Sequence, residues 1–171
     1  MRATKLLMAG LVTGLLLASA MPGLVAAQPS SSKLVPTSYV VYKMTPQRNL
    51  QLYIFDPAGW KASDTRPAMV FFHGGGWIGG SASQFFGQSA NLARRGMVAI
   101  SVGYRVSNRD KTSPFQSVRD AFSAMRWIRA HAKKLGINPT QIAAGGGSAG
   151  GATRGGPGYS DGKLDRRSQV P

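Results

Sequence analysis

Apolar residues along this chain fall into runs that predict a short hairpin followed by alternating strands and helices. Tyr39 to Tyr42 and Leu50 to Phe55 are β-prone and are separated by Thr45-Pro46-Gln47-Arg48-Asn49, whose composition suits a turn. Pro67 to Phe72 is a continuous apolar run, as in a strand buried on both faces, Met97 to Val102 is the next buried strand, and Gln141 to Ala144 is the strand before Ser148. Between them, Phe85, Phe86, Ala90, Leu92 and Ala93 carry helical spacing within 81–95, with Ser83 as N-cap and Gly96 as stop. Val118, Ala121, Phe122, Met125, Ile128 and Ala132 recur at steps of three and four, predicting a helix over 115–135 that ends at Gly136. Strand, helix, strand, helix, strand predicts an α/β class: a mostly parallel, doubly wound sheet with right-handed crossovers.

The ends of the chain read differently. Residues 1–27 have the form of a signal peptide: Arg2 and Lys5, an uncharged apolar stretch from Leu6 to Ala20, then small residues Val25-Ala26-Ala27 before Gln28. The expected location is therefore secreted or periplasmic, with no membrane attachment after cleavage. The chain has no cysteine, which excludes a disulfide framework and a lipidated cysteine at the cleavage point. Residues 28–38 read as a Pro/Ser linker, and a single domain is expected over 39–151. Beyond it the periodicity stops, and Gly155-Gly156-Pro157-Gly158 would break a helix. Residues 152–171 are thus expected to be an irregular tail, the mark of a truncation or a shift of reading frame.

Charge is lopsided: 21 Lys and Arg against six Asp give a formal +15. The basic residues are scattered rather than blocked with aromatics, so no specific nucleic-acid partner is expected, only loose affinity for anionic surfaces. Two histidines far apart in sequence and no cysteine offer no metal site.

Two glycine-rich stretches carry the candidate chemistry. Gly146-Gly147-Ser148-Ala149-Gly150 has the G-x-S-x-G form of a strand turning sharply into a helix, with the serine exposed at the bend. Glycines on both flanks fit a turn in which a Cβ would collide with its neighbours. His73-Gly74-Gly75-Gly76-Trp77 follows a buried strand, and its bare backbone can aim several N–H groups at one oxygen. By spacing alone, Gly74-x-Gly76-x-x-Gly79 and Gly145-x-Gly147-x-x-Gly150 also match a dinucleotide fingerprint. Neither contains the Lys-Ser/Thr pair of a P-loop, and no strand precedes Asp165, twenty residues past the second. Nucleotide binding is the weaker reading, and no cofactor is expected.

HGGGW, the GGGSAGG run, and Gly96 to Arg105 between them resemble secreted bacterial α/β-hydrolases. The resemblance is to hormone-sensitive-lipase-like esterases, including the feruloyl and acetyl-xylan esterase type, and covers about Tyr39 to Gly151. It implies the N-terminal half of an α/β-hydrolase fold and a carboxylic ester hydrolase working through a serine acyl-enzyme. Ser148 would be the nucleophile, and the backbone N–H groups of Gly75, Gly76 and Ala149 the oxyanion hole. His73 would pin the glycine loop and Trp77 would wall the acyl pocket. The implied substrate is a small-molecule or polysaccharide-linked ester; the oligomeric state stays open.

Departures from the family pattern are plain. Gly103 stands where an Asp is usual before Tyr104-Arg105. Gly151-Ala152-Thr153-Arg154 replaces Gly-Gly-His-Leu-Ala, and both histidines precede Ser148 although the family's acid and histidine come late. Little turnover is expected from these residues alone. His131, near the end of the long helix, would lie on the order of 16 Å from Ser148 if the last strand has five residues. Asp120 reads as a partner of the helix dipole. The competing function is a non-catalytic exported fragment or binding protein that keeps the fold.

Overall fold

The computed structural model describes residues 34–154. The expected signal peptide and residues 28–33 of the linker lie outside them, as do residues 155–171. The described residues form five strands and four α-helices, in the order β1 (Ser38–Met44), β2 (Asn49–Phe55), β3 (Arg66–Phe72), α1 (Phe86–Arg94), β4 (Val98–Val102), α2 (Ser107–Asp110), α3 (Pro114–Ala130), β5 (Ile137–Gly146) and α4 (Ala149–Arg154). They form one sheet in the order β1-β2-β4-β3-β5. β1 and β2 are the expected antiparallel hairpin, and β2 is antiparallel to β4. β4, β3 and β5 run parallel, so both crossovers carry helices, as in a doubly wound α/β sheet.

β4 is buried at all five positions, which explains its unbroken apolar sequence. One face of the sheet packs Leu50, Leu52, Val70, Ile100 and Val102 with Ala121, Ala124 and Ile128 of α3. On the other face, Phe55 and Ala99 meet Ala93 of α1, with Phe86, Ala90 and Leu92 beside them. A sheet covered on both faces needs strands that are apolar throughout, and β3 and β4 carry that pattern. β5, at the edge of the sheet, does not, with only Ile137 and Ile142 of its ten residues buried.

Several expected boundaries are corrected. The helix expected from Ser81 begins instead as a 3-10 turn over Ala82–Phe85, and Ser83 lies inside it rather than capping it. Tertiary contacts tighten that turn: the Ser101 hydroxyl donates to the Ala82 carbonyl at 2.6 Å, and the Phe85 ring stacks on Phe71 at 4.9 Å. The long helix starts at Pro114 behind a Ser113/Gln116 capping box and stops at Ala130, five residues early. There the His131 ring stacks on Trp127 and its Nδ1 donates to the Trp127 carbonyl at 2.8 Å, capping the final turn. Gly136 follows at φ +61°, where a Cβ would lie 2.7 Å from both the Lys61 carbonyl and the Trp60 indole nitrogen.

β5 is ten residues long instead of four, because the Asn138-Pro139-Thr140 turn is absorbed as an irregularity within it. Arg66 pairs with Ile137 but Ala68 already pairs with Ile142, and Asn138 Oδ1 accepts from the Thr140 amide (3.0 Å) and hydroxyl (2.8 Å). The linker expectation also overran: the Thr37 amide donates to the Ile54 carbonyl at 2.8 Å, and Ser38 opens β1. At the other end, the domain expected to close at Gly151 continues as α4 through Arg154, so residues 152–154 are helical rather than irregular.

Candidate active site

The C-terminal ends of β3 and β5 are adjacent, with Phe72 paired to Gly146. One residue further on, each strand releases a glycine-rich turn, and the two turns touch. Ser148 sits at φ +49° and is exposed, between the end of β5 and the first residue of α4. A left-handed serine is uncommon and marks a sharp bend held by its surroundings. The surroundings are tight. A Cβ on Gly146 would strike the Phe72 carbonyl oxygen, and one on Gly150 would strike the carbonyl oxygens of Phe72 and His73. Both flanking glycines are therefore demanded by the packing of the bend on β3.

The loop after β3 folds back on itself. The amides of Ile78 and Gly79 both donate to the Gly75 carbonyl at 3.0 Å, and Gly75 (φ +118°), Gly76 (+62°) and Trp77 (+60°) are left-handed. Among the described residues no group accepts from the Gly75 or Gly76 amide. A Cβ on Gly74 would lie 2.9 Å from the Gly147 carbonyl oxygen, which measures how closely this loop abuts the serine bend. Gln84 bridges the two: its Oε1 accepts the Gly74 amide at 2.6 Å and lies within 4.0 Å of a Cβ on Gly147. Sequence reasoning missed Gln84, since a lone glutamine in a turn carries no signal. Trp77, half-buried, packs against the main core.

Neither histidine reaches Ser148. His73 is fully buried, stacked on Tyr104 at 4.0 Å, with Nδ1 on its neighbour's carbonyl, Gly74, at 2.8 Å. With Nδ1 donating, Nε2 carries the lone pair, and it has no partner among the described residues. Burial pushes the His73 pKa below its usual value, and Arg109 and Arg48 push the same way against the Gly74 bond. The ring is a neutral prop beneath the loop. His131 is at the opposite end of β5, where the carbonyl of the next residue, Ala132, accepts the Ile137 amide at 2.9 Å. The six steps of β3 from Arg66, paired with Ile137, to Phe72, paired with Gly146, span about 20 Å at ~3.3 Å each. The 16 Å expected from a five-residue strand is corrected upward.

The arrangement is that of an exposed, left-handed serine beside a glycine-rich loop. The BD-FAE family model matches residues 52–168. The chain belongs to the BD-FAE family. An AB hydrolase superfamily protein of Schizosaccharomyces pombe is 30% identical over 131 residues, 72% of this chain and 38% of its own length. Carboxylesterase NlhH of Mycobacterium tuberculosis is 34% identical over 90 residues, 52% of this chain and 27% of its own. Among solved structures, the propionate-bound Est2 esterase of Thermogutta terrifontis superposes with a TM-score of 0.71 at 42% identity, covering 80% of this chain and 52% of that one. The sheet described here is thus a partial α/β-hydrolase fold. The chain spans between about a quarter and two fifths of the curated relatives just named, and about half of the esterase.

In this member of the BD-FAE family the loop after β4 is what holds the glycine loop from behind. The amides of Ser107 and Asn108 donate to the carbonyls of Trp77 (2.9 Å) and Ile78 (3.0 Å). Two buried carboxylates fix that loop in turn. Asp110 takes the Val106 amide at 2.9 Å and the Arg48 Nε at 2.9 Å. Asp120 takes Arg105 at Nε (2.7 Å) and Nη2 (2.9 Å) and the Lys43 ammonium at 2.7 Å. The expectation that Asp120 serves the helix dipole is corrected: it is the fully buried centre of an ion-pair cluster. Gly103, at the usual Asp position of the resemblance, leaves a Cβ only 3.2 Å from the Gln51 carbonyl oxygen. The Tyr104 hydroxyl donates to the His73 carbonyl, and burial raises its pKa to about 12, so it stays a donor.

Proposed function

We propose that this chain supplies the nucleophile and oxyanion elements of a serine carboxylesterase exported from a bacterial cell. The observation that carries the proposal is the exposed, left-handed Ser148 abutting the Gly74–Gly76 loop. In the proposed reaction Ser148 Oγ attacks the ester carbonyl, and its proton passes to a base. The amides of Gly75, Gly76 and Ala149 receive the negative charge on the tetrahedral oxygen. The alcohol then leaves and water releases the acid from the acyl-serine. Trp77 lies on the same loop and would border the acyl group. The substrate class is a carboxylic ester; the butyrate and propionate bound to the Thermogutta terrifontis esterase favour a short acyl chain.

Neither His73 nor His131 can serve as the base, so these 171 residues alone should turn over poorly. Losing the base of a comparable triad costs about 10⁶-fold in turnover. Hydrolysis of p-nitrophenyl butyrate should stay below about 1 s⁻¹, a low but ordinary enzyme rate. Added imidazole should raise it beyond what imidazole does without protein, and Ser148→Ala should abolish that excess rise. Serine-dependent turnover above that rate without imidazole would return one of the two histidines to the base role. An excess rise that survives Ser148→Ala would remove Ser148 as nucleophile.

A further inference from the structure

The positive charge of this chain is not spent on its own acids. Among the described residues, Asp64, Asp110 and Asp120 are each ion-paired, to Arg66, to Arg48 and Arg109, and to Arg105 and Lys43. The one acid of α3, Asp120, points inward. Its outward side carries Arg119, Arg126 and Arg129, at steps of seven and three residues, and Lys133 follows in the next turn. At 100° per residue the three arginines fall within about 80° of arc, and they span about 15 Å along the axis. No carboxylate among the described residues pairs with any of the four. Ser123 steadies the row, donating to the Arg119 carbonyl (2.9 Å) and accepting from Arg126 Nη2 (3.3 Å). The row then runs into a cleft of about 550 Å³ whose walls include Arg129, Lys133, Ser63 and Thr65. Asp64 is also there, but Arg66 Nε holds it at 2.6 Å.

We propose that this face of α3 and the cleft at its end dock an acidic polysaccharide. The charges fit a linear polyanion, and guanidinium groups suit carboxylates because they can bind them through two parallel bonds. A membrane surface fits less well. A helix that lies in lipid buries its apolar side there, whereas the apolar side of α3 is committed to the sheet. Single-stranded nucleic acid requires a run of successive aromatic platforms, and this face offers two, the half-buried Phe122 and the exposed Phe115 about 10 Å before it along the axis. Hydroxyl-bearing walls at the cleft suit a sugar chain. This surface is independent of Ser148 and stands whether or not the esterase reading does.

Polygalacturonate is the probe, titrated against the full chain between about 50 and 200 mM salt. Two triple variants remove equal charge: Arg119→Ser/Arg126→Ser/Lys133→Ser, and Arg94→Ser/Arg95→Ser/Lys111→Ser. All six side chains are exposed, and Arg94 and Arg95 lie at the end of α1, on the other face of the sheet. The α3 variant should weaken binding at least about tenfold and flatten the salt slope by about two, from ~0.7 per neutralised charge. The second variant should weaken it less than about twofold. Equal losses in the two variants would reduce the effect to net charge and overturn the proposal. So would absence of polygalacturonate binding, or tighter binding to single-stranded DNA or phosphatidylglycerol vesicles.

Discussion

Asp120→Asn tests whether the glycine loop stands on the buried ion cluster. The carboxylate accepts the Arg105 guanidinium twice and the Lys43 ammonium once, all within 2.9 Å, and the Arg105 amide at 3.3 Å. Asparagine keeps the volume and one acceptor oxygen. Its amide group would face a cationic donor with another donor, and both cations would lose their counter-charge. Hydrogen bonds to charged groups are worth about 1.5–3 kcal/mol each, and breaking a buried pair costs about 3–5 kcal/mol. Relief from burying a carboxylate offsets part of this, so the expected loss is about 3 kcal/mol at pH 7.

The pH dependence carries the sharper test. Burial pushes the Asp120 pKa up, but the hydrogen bonds and charges of Arg105 and Lys43 outweigh it and hold the carboxyl below its usual value. A depressed carboxylate stabilises the fold fully above the unfolded value near 4, and that contribution is lost as pH falls through the folded value. Urea unfolding of both proteins at pH 7 and at pH 2.5 should therefore show a gap that narrows in acid. Other carboxylates titrate in both proteins and cancel in the difference. A gap below about 1 kcal/mol at pH 7, or one unchanged in acid, would refute the ion-cluster account.

Four further outcomes are expected. Gly150→Ala places a methyl against two backbone carbonyls and should destabilise the fold by about 2 kcal/mol or more and abolish the excess imidazole-dependent hydrolysis. Gly79→Ala, whose methyl meets nothing within 4 Å, should cost less than about 1 kcal/mol in the same urea assay. Tyr104→Phe strands the buried His73 carbonyl and should cost about 1–3 kcal/mol on thermal or urea unfolding. Exported material should begin at Gln28 on N-terminal sequencing, and a chain recovered with Met1 intact would refute the proposed cleavage.

The central strands and the serine bend were legible because their causes are local. An unbroken apolar run such as 97–102 has few alternatives to a strand covered on both faces, and glycines at 146 and 150 admit a bend that other residues would block. What escaped depends on partners distant in sequence. Asp120 looks like any acid early in a helix until Lys43, 77 positions away, and Arg105 close around it. The early stop of α3 rests on the Trp127–His131 stack, since the apolar spacing itself continues to Ala132. β5 hid six of its ten residues because Asn138-Pro139-Thr140 has turn chemistry, which the strand keeps as an irregularity instead of ending there.

The site itself is a product of register more than of either motif. Parallel pairing of Phe72 with Gly146 makes the two glycine-rich turns begin at the same level of the sheet, on neighbouring strands. A slip of one residue would turn β5 over and carry the serine bend away from the Gly74 loop. Because backbone meets backbone there, the carbonyls of Phe72 and His73 against Gly150, and that of Gly147 against Gly74, the pairing allows no side chain at these points. The proposed nucleophile and oxyanion donors are consequently fixed to each other by main-chain contacts within residues 72–150. A base is a different kind of element. It must bring a side-chain nitrogen within about 3 Å of Ser148 Oγ, and this sheet has already used His73 to prop the loop and left His131 about 20 Å away, at the far end of β5.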